Sequence, residues 1–489
     1  MSSNSSSDST PDSTEAEDRL DPRLLTLIAV VLLGGLLGIL NSTMAAVATD
    51  TLAATFDTSL DAVGWTSTGF LLAVTATIPF TTWAVDRFGG RRLWLIGLAL
   101  FVAGSLAAGA AWNIGSLIAS RVLQGLGAGL LDPLVLILLA RAAGPRRAGR
   151  VMGLMGVVLS LGPVLGPIAG GAILENLAWR WMFLLSVPVG LIAFVAARYV
   201  LPVDPPPSEG GPARVRLDVL GLALLGPGFA ALVLALSRTA DQGTIAAWQA
   251  LVPLAVGAAL LIGYAVHALS IRSSPPLIDL RLFAGRGFTA SVLIMGLGGL
   301  ANFAALFALP LYYQQSHGHG VLAAGLLMAP AGLGGAIAMP LAGALSDRLG
   351  TRGLAAGGAI VAALSALVFT RVGADTTELW PVLAAFTLGL GMGSFSAPTM
   401  GSLYRTLPGP MVAQGSSVLY MLNQLGAALG VALVTLILQT AGDPITGFHL
   451  IFGFAAAVLV VVLAAIPLLP GPERPPVRNE LATPERASR

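Results

Sequence analysis

The chain is written as long apolar runs separated by short polar breaks. Fourteen runs stand out: 24–47, 61–84, 93–112, 115–139, 150–174, 180–201, 218–237, 248–270, 287–312, 321–345, 353–371, 379–404, 413–439 and 446–469. Each is near the ~20 residues that an α-helix needs to cross a bilayer. The pattern predicts an all-α integral membrane protein of fourteen transmembrane helices, numbered here as spans 1 to 14. Residues 1–22 are rich in Ser, Asp and Glu without an apolar run, and read as a disordered cytoplasmic tail, not a signal peptide. Residues 470–489, rich in Pro, Arg and Glu, read as a second cytoplasmic tail.

Composition supports the lipid reading. The 489 residues are 55% hydrophobic and only 10% charged, with a mean hydropathy of +0.84. A soluble domain of this length could not hide that much apolar surface. There is no cysteine, which excludes disulfides, thiolate metal sites and cysteine nucleophiles. All 26 basic residues are arginine, and where they fall tests the count of spans. With both termini inside, the inner loops hold Arg87, Arg91, Arg92, Arg141, Arg146, Arg147, Arg150, Arg198, Arg214, Arg216, Arg272, Arg281, Arg286, Arg348, Arg352 and Arg405. The outer side keeps Arg180, Arg238 and Arg371. Miscounting by one span would scramble this positive-inside bias.

One polar break occurs twice. Residues 79–92 read Pro-Phe-Thr-Thr-Trp-Ala-Val-Asp-Arg-Phe-Gly-Gly-Arg-Arg, and 340–352 read Pro-Leu-Ala-Gly-Ala-Leu-Ser-Asp-Arg-Leu-Gly-Thr-Arg. In both, a proline sits seven residues before Asp-Arg-x-Gly. A charged turn used twice between long apolar helices points to a duplicated bundle. The turns follow spans 2 and 10, so two six-helix repeats fit 23–201 and 287–469, with linker and inserted spans 7 and 8 over 202–286. Sixty glycines fit such a bundle, because small residues let helix backbones approach closely in lipid. Gly162, Gly166 and Gly170 in span 5 share one face, interleaved with Pro163 and Pro167. That face marks either ordinary tight packing or a surface that slides.

These segments resemble the major facilitator superfamily, and within it the fourteen-span drug:proton antiporters. The first turn is similar to the superfamily's signature loop at Asp86, Arg87, Gly89, Arg91 and Arg92, with Thr82 where the signature usually begins with Gly. The second keeps Gly343, Asp347, Arg348, Gly350 and Arg352. As latches, Asp86 is expected to cap a neighbouring helix N-terminus and the arginines to pair with acids of the inner surface. Leu-Ile-Ala-Ser-Arg-Val-Leu-Gln-Gly-Leu-Gly-Ala-Gly over 117–129 is a second match, and the resemblance ties Arg121 to proton transfer. A charge within the apolar stretch costs about 2.5–3.5 kcal/mol or more. Arg121 therefore faces the bundle interior, or else snorkels to the outer interface. The third match is the antiporter signature over 162–171, whose glycine face is expected to seal against the second half. Trp179-Arg180-Trp181-Met182-Phe183 and Val187-Pro188-Val189-Gly190 are also similar to this family.

Two departures bear on mechanism. Span 1 of these antiporters carries Leu-Asp-x-Thr, but here it reads Leu40-Asn41-Ser42-Thr43. Asn41 and Arg121 both lie roughly 10 Å outside their helix midpoints, so they can meet, although an amide carries no proton. The usual arginine of span 13 is replaced within Asn423-Gln424-Leu425-Gly426. Asp132 is the carboxylate deep within a span. It lies about 16 Å inward of Arg121 on nearly the same face, and either carries the proton or binds backbone or an inner-loop arginine beside Pro133.

Candidate cavity residues are Asn41, Trp65, Gln124, Asn302, Tyr312, Gln314, Tyr420 and Gln424, each equally readable as structural. The four histidines read as bystanders. No Walker, metalloprotease or serine-hydrolase constellation occurs, so no enzyme, metal or cofactor is expected. The resemblance implies a monomeric rocker-switch exporter in a bacterial plasma membrane. Its partners are the lipid bilayer, a small amphipathic or cationic organic substrate and protons, with no nucleic acid. The alternatives are a dedicated exporter of one natural product or lipid with weak or no proton coupling, and a non-transporting receptor or scaffold.

Overall fold

The computed structural model describes residues 21–204, 217–271, 275–373 and 376–469. The expected tails at 1–20 and 470–489, most of the 202–216 link with Arg214 and Arg216, and Arg272 lie outside the described residues, as does the side chain of Arg146. Among the described residues, fourteen helices are long and apolar enough to cross a membrane. Spans 1 to 6 are Pro22–Ala45, Leu60–Phe88, Gly90–Gly109, Ile114–Gly144, Arg147–Asn176 and Trp181–Val200. Spans 7 and 8 are Val219–Gln242 and Trp248–Ser270. Spans 9 to 14 are Arg286–His317, Leu322–Leu349, Thr351–Phe369, Leu379–Arg405, Gly409–Thr440 and Pro444–Leu468. Several run past their apolar stretch, because backbone groups at the lipid boundary are best satisfied by continuing the helix.

Local chemistry sets the ends. Asn113 and Ser116 form a reciprocal capping box at the start of span 4. Spans 4 and 5 would be one rod but for Gly144, whose φ of 67° breaks the helix in the left-handed region. Gly89 and Gly350 occupy the same place in the two Asp-Arg turns, with φ of 89° and 86°. Each ends one span and starts the next.

The two turns share a backbone but not their side-chain partners. Asp347 accepts hydrogen bonds from the first amides of span 5, Gly149 N and Arg150 N, both at 3.0 Å. It also pairs with Arg405 Nη1 at 2.7 Å, so one carboxylate joins spans 5, 10 and 12. Asp86 does not cap a helix. It pairs with Arg141 at 3.1 Å, both side chains well exposed. The amides opening span 3, Arg91 N and Arg92 N, are capped by Asp204, each at 3.1 Å. Among the other turn arginines, Arg87 lies over the Phe88 ring, Arg91 Nη2 donates to Arg198 O, and Arg352 donates to Leu469 O.

Spans 1, 2 and 3 pack on the span 4–5 run, and span 3 also packs on span 6. On the other side, span 9 packs on 13 and 14, span 12 on 10 and 11, and span 11 on 14. The halves meet where span 5 lies on span 10 and span 2 on span 13. The first contact is backbone to backbone. A Cβ on Gly343 would sit 2.3 Å from Gly149 O, and one on Gly153 would sit 2.5 Å from Met339 O. The glycine face expected to seal this seam points elsewhere. Gly162, Gly166 and Gly170 lie against Ile39, Thr43 and Met44 of span 1, within their own half. Span 10 is met by the adjacent edge of span 5, at Gly149, Gly153, Gly156, Val164, Pro167 and Ile168.

Spans 7 and 8 pair with each other, and span 7 lies across the junction of spans 2 and 13. His267 is no bystander. Its Nε2 is 2.7 Å from the buried Asp218 carboxylate, which also accepts from Gly221 N and Leu277 N. Tyr264 bonds to both backbone groups of Ile278, and Asp279 N donates to Gln414 of span 13 at 2.9 Å.

The hydrogen bonds that Asp347 accepts, the one Thr82 donates to Ser417 and the one Ser417 donates to Ile78 O join the halves at the arginine-rich end. Asp347→Asn is expected to weaken that closure by about 1–3 kcal/mol. A Ser417→Cys thiol, in a chain with no cysteine of its own, should then react with a maleimide at least about fivefold faster. Asp86→Asn, which removes only a screened surface pair, should leave the rate within about twofold. Equal rates in the two variants would remove Asp347 from the latch.

Candidate functional site

Arg121 is fully buried in the first half, pointing into the bundle. Its Nη1 donates to Asn41 Oδ1 and to Gln124 Oε1, both at 2.5 Å, and its Nε donates to Thr66 O at 3.2 Å. The guanidinium stacks over Phe70 at 4.2 Å, with Phe183 on another side at 5.6 Å. The amides are themselves held, Asn41 by Ser186 and Gln124 by Ser105. The equal depth of Asn41 and Arg121 in the sequence is thus a direct contact. No carboxylate takes part, so a cation sits in a network of neutral acceptors, with Nη2 left without a partner. Asn41 and Gln124 belong to this network and line neither of the two spaces described below.

Asp132 stands apart from Arg121, three helical turns along span 4. Its Oδ1 lies beside Gly38 of span 1, where a Cβ on the glycine would be 3.7 Å away. It is partly exposed, and lies within electrostatic reach of Tyr420 of span 13. Arg121 and Asp132, paired in the sequence reading, are not in contact.

A partly open space near the middle of the bundle lies between span 5 and spans 9, 10, 12 and 13. Its walls combine soft thioethers (Met295, Met339, Met392, Met400), small glycines, and the polar groups of Ser160, Asn302, Ser396 and Asn423. No charged side chain lines it. Its volume of about 130 Å³ holds a few waters, whereas a drug-sized ligand needs ~300–1,000 Å³. Loading it requires the walls to part. Of the residues singled out from sequence, Asn302 alone lines this space. Trp65 lies in a separate surface hollow with Asp61, Arg238 and Asp241 at the arginine-poor end. Tyr312 is buried against Phe448. Gln314, Tyr420 and Gln424 are half-buried outside its walls. Asn423 and the methionines were missed: Asn423 stood in the sequence only as part of a departure, and methionine among apolar residues carries no signal.

This arrangement, two helical halves packed together with a space between span 5 and the second half, has counterparts among known proteins. The family model described as Major Facilitator Superfamily matches residues 31–431. The chain belongs to the major facilitator superfamily. A multidrug resistance protein B homolog of Mycobacterium tuberculosis is 38% identical over 423 residues, covering 86% of this chain and 77% of that protein. Lincomycin resistance protein LmrB of Listeria innocua is 28% identical over 421 residues, covering 86% and 88%. The fold is shared with the human organic anion transporter MFSD10, at a TM-score of 0.64 and 15% identity, covering 91% of this chain and all of that one. This superfamily member is a multi-pass membrane protein of a transporter family, not of an enzyme family.

The Arg121 network makes a direct expectation. Gln124→Leu removes one of two acceptors from Nη1 and leaves Ser105 Oγ without its donor. A lost partner of a buried charged donor costs about 1–3 kcal/mol or more. The detergent-solubilised variant should melt several degrees lower, while Gln424→Leu, outside any described hydrogen bond, should melt within about one degree of the parent.

Proposed function

We propose that this superfamily member exports amphipathic or cationic organic compounds by antiport with protons, through rocker-switch alternating access. The central space carries the reading: a Met- and Gly-walled chamber with a few amides at the junction of the halves. Thioether side chains re-pack around different shapes, and amides orient a ligand without demanding a charge. The resistance-named relatives support export of drug-like compounds. The arginine-rich end is the cytoplasmic face by the positive-inside rule, which puts both termini inside a bacterial plasma membrane. On this reading the chain works as a monomer, with repeats over 23–201 and 287–469 and the inserted segment over 202–286 between them.

Asp132 is the proton carrier in this scheme. It is a partly exposed carboxyl with no hydrogen bond to a described residue, placed where the halves part. Arg121 fixes a buried positive charge toward the outer side of the first half and ties the outer ends of spans 1, 2 and 4 around it. In the cytoplasm-facing state the chamber would widen and take substrate. In the state described here the latch of Asp347 and the Thr82–Ser417 contact close the cytoplasmic end.

A second reading rests on Asn41. With an amide opposite Arg121 where the antiporters carry an acid, a dedicated exporter of one natural product or lipid needs no proton coupling. Reconstitution into vesicles separates the two. Under an imposed pH gradient, with ethidium as probe, the parent protein should accumulate dye several-fold. Asp132→Asn should abolish gradient-driven accumulation while keeping dye exchange at equilibrium. Accumulation retained in the variant would end the role of Asp132. A parent that exchanges dye without responding to the gradient would favour uncoupled export.

A further inference from the structure

Three of the four histidines gather at one corner of the second half, at the arginine-poor end. Span 9 ends at His317, and Gly318, with φ of 69°, turns the chain back. His319 N then donates to Tyr313 O at 3.2 Å. The reversal lays the His319 ring parallel to that of His317, with centroids 6.2 Å apart and planes 1° from parallel. His319 Nε2 meets Glu378 Oε1, just before span 12, at 2.5 Å. His317 has no such partner: both ring nitrogens are buried and make no hydrogen bond to a described residue. Ser316 Oγ and the Tyr313 hydroxyl are likewise buried and unpartnered. Leu309, one turn below Tyr313 on the same helix, lines the central chamber. The corner therefore sits over the chamber's outer end.

The charged and titratable groups around His317 are few. Span 9 contributes Tyr312 and Tyr313, whose rings lie 5.1 and 6.4 Å from the imidazole. The following turn contributes His319. Before span 12 stands Glu378, and span 14 brings His449, whose Nε2 bonds to Val372 O at 2.8 Å. Arg371 at the end of span 11 is exposed. Exposed Asp443 caps span 14, and its hydrogen bonds from Thr446 hold its carboxyl below the usual range. Glu378 is thus the near anion, and His319 already uses it.

We propose that His317 and His319 form a proton-operated lock on the outer end of the second half. A proton on His319 would face the Glu378 carboxylate. A second, on His317, converts both buried ring nitrogens to donors with no acceptor and sets like charges about 6 Å apart on stacked rings. Burying that charge unpaired is unfavourable, so the corner opens to water and uncovers the chamber. Imidazole is the side chain whose charge changes between about pH 5 and 8, the range met outside a bacterial membrane. The lock rests on the transport reading and on its outside assignment, and it does not depend on proton coupling through Asp132.

The test uses vesicles at equal pH on both sides, without substrate or gradient, so failure of coupling leaves its outcome unchanged. A cysteine at Leu309 is labelled with an impermeant maleimide in the parent and in His317→Phe, which keeps the ring in its aromatic pocket. The ratio of the two rates at each pH cancels the intrinsic pH dependence of the thiol. That ratio should rise at least about fivefold from pH 8 to pH 5.5. His317→Gln serves as the second control, with size-exclusion profiles confirming that each variant is folded. Glu378→Gln withdraws the near anion from both imidazoles, so the opening step should move to lower pH. A rate ratio independent of pH in both His317 variants, or a step unmoved by Glu378→Gln, overturns the lock.

Discussion

Contact between bare backbones at the seam of spans 5 and 10 is the constraint on which the architecture depends. In lipid, apolar side chains gain little by leaving one apolar surface for another, so helices associate through close packing and polar ties. Gly149, Gly153 and Gly343 bring two main chains together without side chains between them. Closeness of that kind gives dispersion contact along a whole helix while leaving no interlocking shape to prevent sliding. It also places the amides that open span 5 within reach of Asp347. The latch is therefore a consequence of the seam, and a bulkier residue at any of these glycines would disturb both at once.

Deeper in the first half, the protein solves a different problem. Arg121 is a cation held by amides, a carbonyl and aromatic faces. Neutral acceptors pay part of its desolvation without cancelling its charge, so the first half keeps a fixed positive field whatever Asp132 is doing. The two groups are separated by three turns of one helix, which suits influence through space better than direct exchange.

The sequence exposed the features that lipid enforces and hid those that depend on tertiary placement. All fourteen spans were legible, because each must be long and apolar by itself. The meeting of Asn41 with Arg121 was legible from depth alone. The direction of the Gly162, Gly166 and Gly170 face was not: a four-residue spacing defines a face but not the helix it meets, and span 1 took it. The paired turns looked equivalent, yet Asp347 crosses to the other half and Asp86 stays at home with Arg141. His267 and the His317–His319 corner were missed because their partners, Asp218 and Glu378, are distant in sequence. Asn423 and the chamber methionines lie among residues that look alike until the helices are assembled.

Span 7 lies over the junction of spans 2 and 13, and its two neighbours hold it differently. On the span 13 side, Gly243 is hard against Gln439, and Asp279 N reaches Gln414 from the segment clasped by Asp218, Tyr264 and His267. Toward span 2 the approach is Gly226 on the carbonyl of Ala76, a smooth backbone contact. The inserted helix is bolted on one side and greased on the other. Its flanking segment is hydrogen-bonded to span 13, while span 2 meets it through backbone packing, so a movement of the halves would cost less on the span 2 side.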